Sequence, residues 1–178
     1  KDELLNLSQQ DKPFNFTLLT VDTHHVGGYV CSVCQQNQGY SFPSVLSCAS
    51  RQVSNFIEWI KDQDFYDNTT VVIAGDHLSM ETKFFEDLDE NYIRTTYNAF
   101  LNSAITRGDQ RSREFSTLDM FPTILASMGV AIDGDRLGLG TNLFSQQPTL
   151  LEKYGIDEVI EELNKSSRFY NNRFLHPN

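Results

Sequence analysis

Positive charge is scarce in this chain: 14 Lys and Arg stand against 24 Asp and Glu, a formal charge of −10. Such a balance repels phosphate backbones at long range and leaves no basic stripe, which argues against nucleic acid as a partner. A small phosphate-bearing substrate is still compatible with it, provided that a metal ion supplies the positive field locally. Long apolar runs are missing too. No stretch approaches the ~18 to 20 residues that a membrane span requires, and no signal-peptide pattern is present, so a membrane anchor is expected only in sequence outside this chain. Repeats and low-complexity tracts are absent, while an apolar fraction of 39% over 178 residues is enough for a real core. There is no initiator Met: the chain opens at Lys1 on residues 1–10, which read as the end of an amphipathic helix carrying Leu4, Leu5 and Leu7. The expectation is a piece of a longer protein.

Cysteine is sparse, with only Cys31, Cys34 and Cys48. Cys31-Ser-Val-Cys34 has the spacing of a zinc half-site or a redox dithiol, but a structural zinc site wants a second pair and only Cys48 follows. A disulfide with one thiol left over fits an oxidising compartment, and three reduced cysteines fit a cytosolic one. The count leaves both open.

Residues 14–23 (FNFTLLTVDT) are rich in β-branched and aromatic side chains and end in His24-His25, which predicts a first strand delivering polar groups at its C-terminal end. Residues 25–43, with Gly27-Gly28 and Gly39 among Gln, Asn and Ser, predict a long loop that reads as a lid or substrate-facing excursion. Over 44–64, Val53, Phe56, Ile57 and Ile60 recur at helical spacing, so an amphipathic helix covering a sheet is expected. The continuous β-branched run 69–74 (TTVVIA) reads as a central parallel strand buried on both faces, leading straight into Gly75-Asp76-His77. A third strand is expected over 92–101. A helix over 117–128, capped by Ser116 or Asp119, presents Leu118, Phe121, Leu125 and Met128 on one face and stops at Gly129. Another runs over about 149–164, ahead of an aromatic and polar tail, 168–178. Strands and helices in alternation predict an α/β fold, a layered sheet between helices.

In open α/β sheets the ligand site lies beyond the carboxyl ends of the strands, which singles out Asp22, His24, His25, Asp76 and His77. An Asp and a His side by side at a strand end offer one hard oxygen and one imidazole nitrogen to a divalent ion. The bland alternative is that Asp76 caps a turn and His77 is a satisfied surface histidine. Gly75, the apolar strand before it, and a second strand ending at His24 weigh toward a site. Histidine ordinarily titrates near neutrality, so His24 suits donation to a phosphate oxygen or a leaving group, and His25 is the lesser substrate contact. Asp133-Gly-Asp135 and Asp87-Leu-Asp89 lack the continuing ligand spacing and Glu of an EF-hand, and read as solvated turns.

The stretches LLTVDTHHVGGY (18–29), DNTTVVIAGDHLSM (67–80), STLDMFPTILASMG (116–129) and LGLGTNLFS (137–145) resemble, in consistent order, the alkaline phosphatase/sulfatase-like superfamily. Within it they are most similar to the phosphoglycerol transferases that decorate periplasmic glucans, with lipoteichoic acid synthases as more distant relatives. The resemblance implies that residues 1–178 are the C-terminal part of a catalytic domain with a mixed sheet between helices. It implies one divalent ion, Mn²⁺ first with Zn²⁺ or Mg²⁺ as alternatives, held by Asp76 and His77 among others. It also implies that His24 contacts the transferred phosphoglycerol and that Cys34 and Cys48 form a disulfide, leaving Cys31 free. A lipid donor such as phosphatidylglycerol, a glycan acceptor, a covalent Thr intermediate, and a periplasmic or cell-surface place in a membrane-anchored protein belong to the same implication. The Thr nucleophile and the Glu ligand of that family lie in the preceding half of its domain, and no stretch here matches either. This chain alone is therefore expected to hold metal poorly and to turn nothing over. Val26 also stands where relatives often have Pro. A sulfatase or phosphodiesterase of the same superfamily, and a catalytically inactive binding domain with this fold, are the competing readings.

Overall fold

In the computed structural model, which describes residues 1–34, 41–105 and 113–175, the opening helix α1 (Asp2–Ser8) buries Leu4, as its apolar spacing predicts. Helix α2 (Phe42–Lys61) starts at Ser41, whose hydroxyl accepts the Ser44 N–H at 3.4 Å, with Pro43 in the first turn where helix N–H groups have no internal partner. Its inner face buries Phe42, Val45, Cys48 and Ile60, while Val53, Phe56 and Ile57 are half-buried. Complete burial of a side chain such as Val45 is worth roughly 1.5 to 3 kcal/mol. The helix thus begins earlier than expected and shortens the preceding loop; residues 35–40 of that loop lie outside the described residues.

Two strand expectations are corrected. Residues 14–20 carry no regular secondary structure, and Leu18, Leu19 and Val21 are exposed. A strand exists only where its backbone finds a ladder, and among the described residues none pairs with this segment. Strand β1 (Val71–Ala74) does form from the β-branched run, but it is half-buried and, among the described residues, pairs only with β2 (Asn98–Leu101). Gly75 N–H donates to the Tyr97 carbonyl at 2.8 Å and the Thr70 hydroxyl to the Asn102 carbonyl at 3.2 Å, so the two strands run in opposite directions. A β-branched run reports burial, whereas direction is decided by the connection. Here residues 75–97 hold only a one-turn helix, Thr82–Phe84, in place of the crossover helix that a parallel pair needs. The third expected strand survives as its last four residues.

The chain divides into two compact units, the first Lys1–Thr69 with Ile73–Ala99, the second Thr70–Val72 with Phe100–Asn178. In the second, a helical turn Thr117–Asp119 leads into α3 (Met120–Ser127), with the Ser116 hydroxyl accepting the Leu118 N–H at 3.3 Å. The helix buries the face opposite to the expected one: Pro122, Thr123, Ala126 and Ser127 face inward, while Phe121 and Met128 are exposed. Hydrogen bonds reverse the apolar pattern. The hairpin β3 (Arg136–Leu137) and β4 (Gly140–Thr141) packs close, and a Cβ on Gly140 would run into the Leu118 backbone, 2.8 Å from its carbonyl carbon. Asp119 accepts the Thr141 N–H at 2.8 Å and the Ser116 N–H at 2.9 Å, and Thr123 donates to the Asp119 carbonyl at 2.6 Å while accepting the Leu143 N–H at 3.0 Å.

The helix expected over 149–164 is two helices, α4 (Leu150–Tyr154) and α5 (Ile156–Leu163), separated by Gly155 at φ 78° and ψ 163°. Thr149 and Glu152 form a capping box at the start of α4. Glu152 also pairs with Arg113, whose Nε and Nη2 donate to the two carboxylate oxygens at 2.6 and 2.8 Å. The remaining Arg113 donors reach the carbonyls of Leu143, Ser145 and Gln147. Among the described residues no helix is long and apolar enough to cross a membrane.

Candidate active site

All the residues singled out from strand ends lie in the first unit. Where β1 ends, Gly75 lets the chain pass close to Thr96, whose Cβ would lie 3.1 Å from an added Cβ. Asp76 Oδ1 accepts the His77 N–H at 2.9 Å, leaving Oδ2 3.5 Å from His77 Nε2. His77 Nδ1 lies 2.8 Å from the Leu78 carbonyl. A carbonyl only accepts, so Nδ1 carries a hydrogen, which leaves Nε2 either to donate to the Asp76 carboxylate as part of the imidazolium or, in the neutral ring, to offer a lone pair. Their side chains are 58% (His77) and 73% (Asp76) exposed, so both are open to solution.

The turn carrying His24 is closed by backbone bonds: His24 N–H to the Val21 carbonyl at 3.0 Å, Gly28 N–H to the His24 carbonyl at 3.1 Å, and Tyr29 N–H to the Asp22 carbonyl at 2.7 Å. Gly28 has φ +69°, and a Cβ there would sit 2.7 Å from both the Asp22 carbonyl oxygen and Val45 Cγ1 on α2, so only glycine fits. His24 Nδ1 lies 2.6 Å from the carbonyl of the next residue, His25, the same arrangement as in His77, and the residue is exposed. His25 instead commits Nδ1 to Glu81 Oε1 at 2.7 Å, and the Gly27 N–H donates to the same oxygen. These contacts hold the Glu81 carboxyl below the usual carboxylate range, the Gly27 N–H foremost and the His25 ring after it. Asp22 accepts from Gln52 Nε2 at 3.5 Å and so faces α2.

The structure therefore brings Asp76 to His77, His24 to His25, and His25 to Glu81. Among the described residues, the three-membered group of potential ligands within 4.8 Å of one another is Cys31, Cys34 and Cys48. Two of these, Cys34 and Cys48, form a disulfide with Cα atoms 6.0 Å apart, and Cys31 is the free thiol. Asp76 and His77 fit a divalent ion by donor type and tautomer, as two of the roughly three protein ligands that a catalytic ion takes. His77 also lines a cleft of about 250 Å³ with Leu78, Phe85, Tyr92, Arg94 and Tyr97. Sequence reasoning missed Glu81 and Arg94. Neither belongs to a periodic pattern, and Glu81 meets its partners across more than fifty residues of chain.

A family model described as Sulfatase matches residues 1–130. Phosphoglycerol transferase I of Escherichia fergusonii is 32% identical over 159 residues, covering 79% of this chain and 19% of the relative. Proteins of the same name from Citrobacter koseri and Salmonella choleraesuis are 31% identical over 157 and 159 residues, with the same coverage. The chain thus spans 19% of the length of these relatives. No solved structure shows a significant match. Metal dependence is typical of the superfamily. With the family model matched over most of its length, this chain belongs to the sulfatase family.

Proposed function

We propose that this chain is the C-terminal part of the catalytic domain of an extracytoplasmic phosphoglycerol transferase, moving phosphoglycerol from a lipid such as phosphatidylglycerol to a glycan acceptor. One observation carries the reading: the exposed Asp76–His77 pair where β1 ends, a carboxylate oxygen 3.5 Å from an imidazole nitrogen, in a chain similar to phosphoglycerol transferases over 79% of its length. Asp76 and His77 hold one divalent ion, Mn²⁺ first with Zn²⁺ or Mg²⁺ as alternatives. When bound, such an ion neutralises phosphate charge and lowers the pKa of a coordinated hydroxyl. Two protein donors fall short of a catalytic site, so the other ligands and the Thr that transiently carries the phosphoglyceryl group come from sequence outside this chain. As an imidazolium, with Nδ1–H held by the His25 carbonyl, His24 donates through Nε2–H to a phosphate oxygen or to the leaving group. His25 is a lesser contact through Nε2. The Cys34–Cys48 disulfide favours the periplasm or cell surface, with membrane anchoring through sequence outside this chain.

The test uses the whole protein. Asp76→Ala or His77→Ala is expected to lose bound metal and transfer together, whereas His24→Ala keeps the metal and slows transfer roughly 10²- to 10⁴-fold. Residues 1–178 by themselves are expected to release no glycerol phosphate from phosphatidylglycerol. A His77→Ala protein with full metal content and full rate would sink the reading. Hydrolysis of sulfate esters without transfer would move it to another activity of the superfamily.

A further inference from the structure

Glu81 lies beyond the metal-type pair and outside every pattern read from the sequence, yet its carboxylate is only 12% exposed and receives two donors on one oxygen. An incidental surface pair looks different: in Lys61–Glu58 the side chains are 40% and 67% exposed. We propose that Glu81 is the positioning residue of this site, its Oε1 fastening the 24–28 turn through Gly27 N–H and His25 Nδ1 and thereby fixing where His24 Nε2 points.

The segment bearing Glu81 is braced for this. Glu81 N–H donates to Ser79 Oγ at 3.3 Å, and Arg94 Nη2 donates to the Ser79 carbonyl at 2.6 Å. The Arg94 guanidinium lies 3.8 Å over the Phe85 ring, and Phe84 meets Phe42 of α2 edge-on at 5.3 Å between centroids. The 24–28 turn rests on the same helix through Gly28 against Val45. Both partners of the Glu81 contact are thus seated on α2. His24 completes the relay, because its Nδ1 is bound to the carbonyl of His25, whose side chain Glu81 holds. Displacing Glu81 frees His25, and the ring of His24 loses its orientation with it. The contribution is to geometry and not to the reacting atoms, and it matters because small misplacements of a catalytic donor are costly.

This inference rests on the reading that His24 serves the substrate, and its test separates the two. In the 178-residue chain, Glu81→Ala is expected to speed amide exchange at Gly27 roughly tenfold and to move the ring-nitrogen resonances of His24 and His25. Glu81→Gln keeps an acceptor oxygen in place and restores most of the protection. Should Glu81→Ala fail to fold, His25→Ala removes the same bond from the other side, and Glu81→Gln with His25→Ala should cost no more than His25→Ala alone. In the whole protein, Glu81→Ala is expected to lower kcat roughly ten- to a hundredfold with KM and bound metal little changed, and Glu81→Gln to recover most of the rate. Unchanged Gly27 exchange and His24 resonances in Glu81→Ala would overturn the inference. If those signals respond but His24→Ala transfers normally, the hold of Glu81 on the turn stands and the transferase reading falls.

Discussion

Asp119 in the second unit and Asp76 in the first are both aspartates at the edge of regular structure, and their surroundings are opposite. Asp119 is 2% exposed and takes donors from Ser116 N–H, Ser116 Oγ and Thr141 N–H. The Asp76 side chain is 73% exposed, its amide donor is its own neighbour, and its other oxygen lies 3.5 Å from His77 Nε2. The first arrangement closes every valence, as a buried carboxylate must if it is not to destabilise the fold. The second leaves a valence open in reach of solution. A carboxylate closed in by protein donors is architecture, and one left to solvent beside an imidazole is free to take a ligand.

That contrast makes the variants in the second unit the damaging ones for stability. Arg113→Met removes the partner of the Glu152 carboxylate and of three carbonyls, and is expected to cost roughly 1.5 to 3 kcal/mol, read as a lower denaturant midpoint with faster amide exchange first in 113–152. A loss no larger than that of an exposed surface substitution would break the comparison. Acid comes next. Arg113 foremost, with the Thr149 N–H assisting, holds the Glu152 carboxyl at about 2 against an ordinary 4.5. Its folded value is depressed, so its contribution, roughly 1 kcal/mol once solvent screening is allowed for, is complete above pH 4.5 and drains away as pH falls toward 2. Glu152→Gln should flatten that part of the stability–pH curve, and an unchanged slope would count against the pairing. The smallest stability effect belongs to the site itself. Asp76→Ala and His77→Ala are expected to leave the denaturation midpoint within about 0.5 kcal/mol of wild type, because neither exposed side chain closes a contact between elements. A large destabilisation would make that pair architectural after all.

What the sequence disclosed followed the range of the forces involved. Helix α2 and the Ser116 cap were legible because apolar spacing and capping act within a turn or two of chain. Asp76, His77 and His24 were legible as polar residues following apolar runs. The direction of β1 was not, since it depends on what residues 75–97 do and not on the composition of Val71–Ala74. The buried face of α3 was misread because Thr123 and Ser127 are turned inward by hydrogen bonds that apolar counting ignores. Glu81 and Arg113 were invisible for a related reason: their partners lie 54 to 56 and 30 to 39 residues away, and nothing local marks a Glu or Arg that will be used so. The three cysteines alone allowed several states; family resemblance implied the Cys34–Cys48 pairing found in the structure.

Arg113 is saturated as a hydrogen-bond donor. A guanidinium has five N–H donors, and here all five are engaged, by Glu152 and by the carbonyls of Leu143, Ser145 and Gln147. No donor is left to grip a phosphate, and the charge is already matched by a carboxylate. In a chain with 14 basic residues and a formal charge of −10, Arg113 is thereby one cation fewer for anion capture.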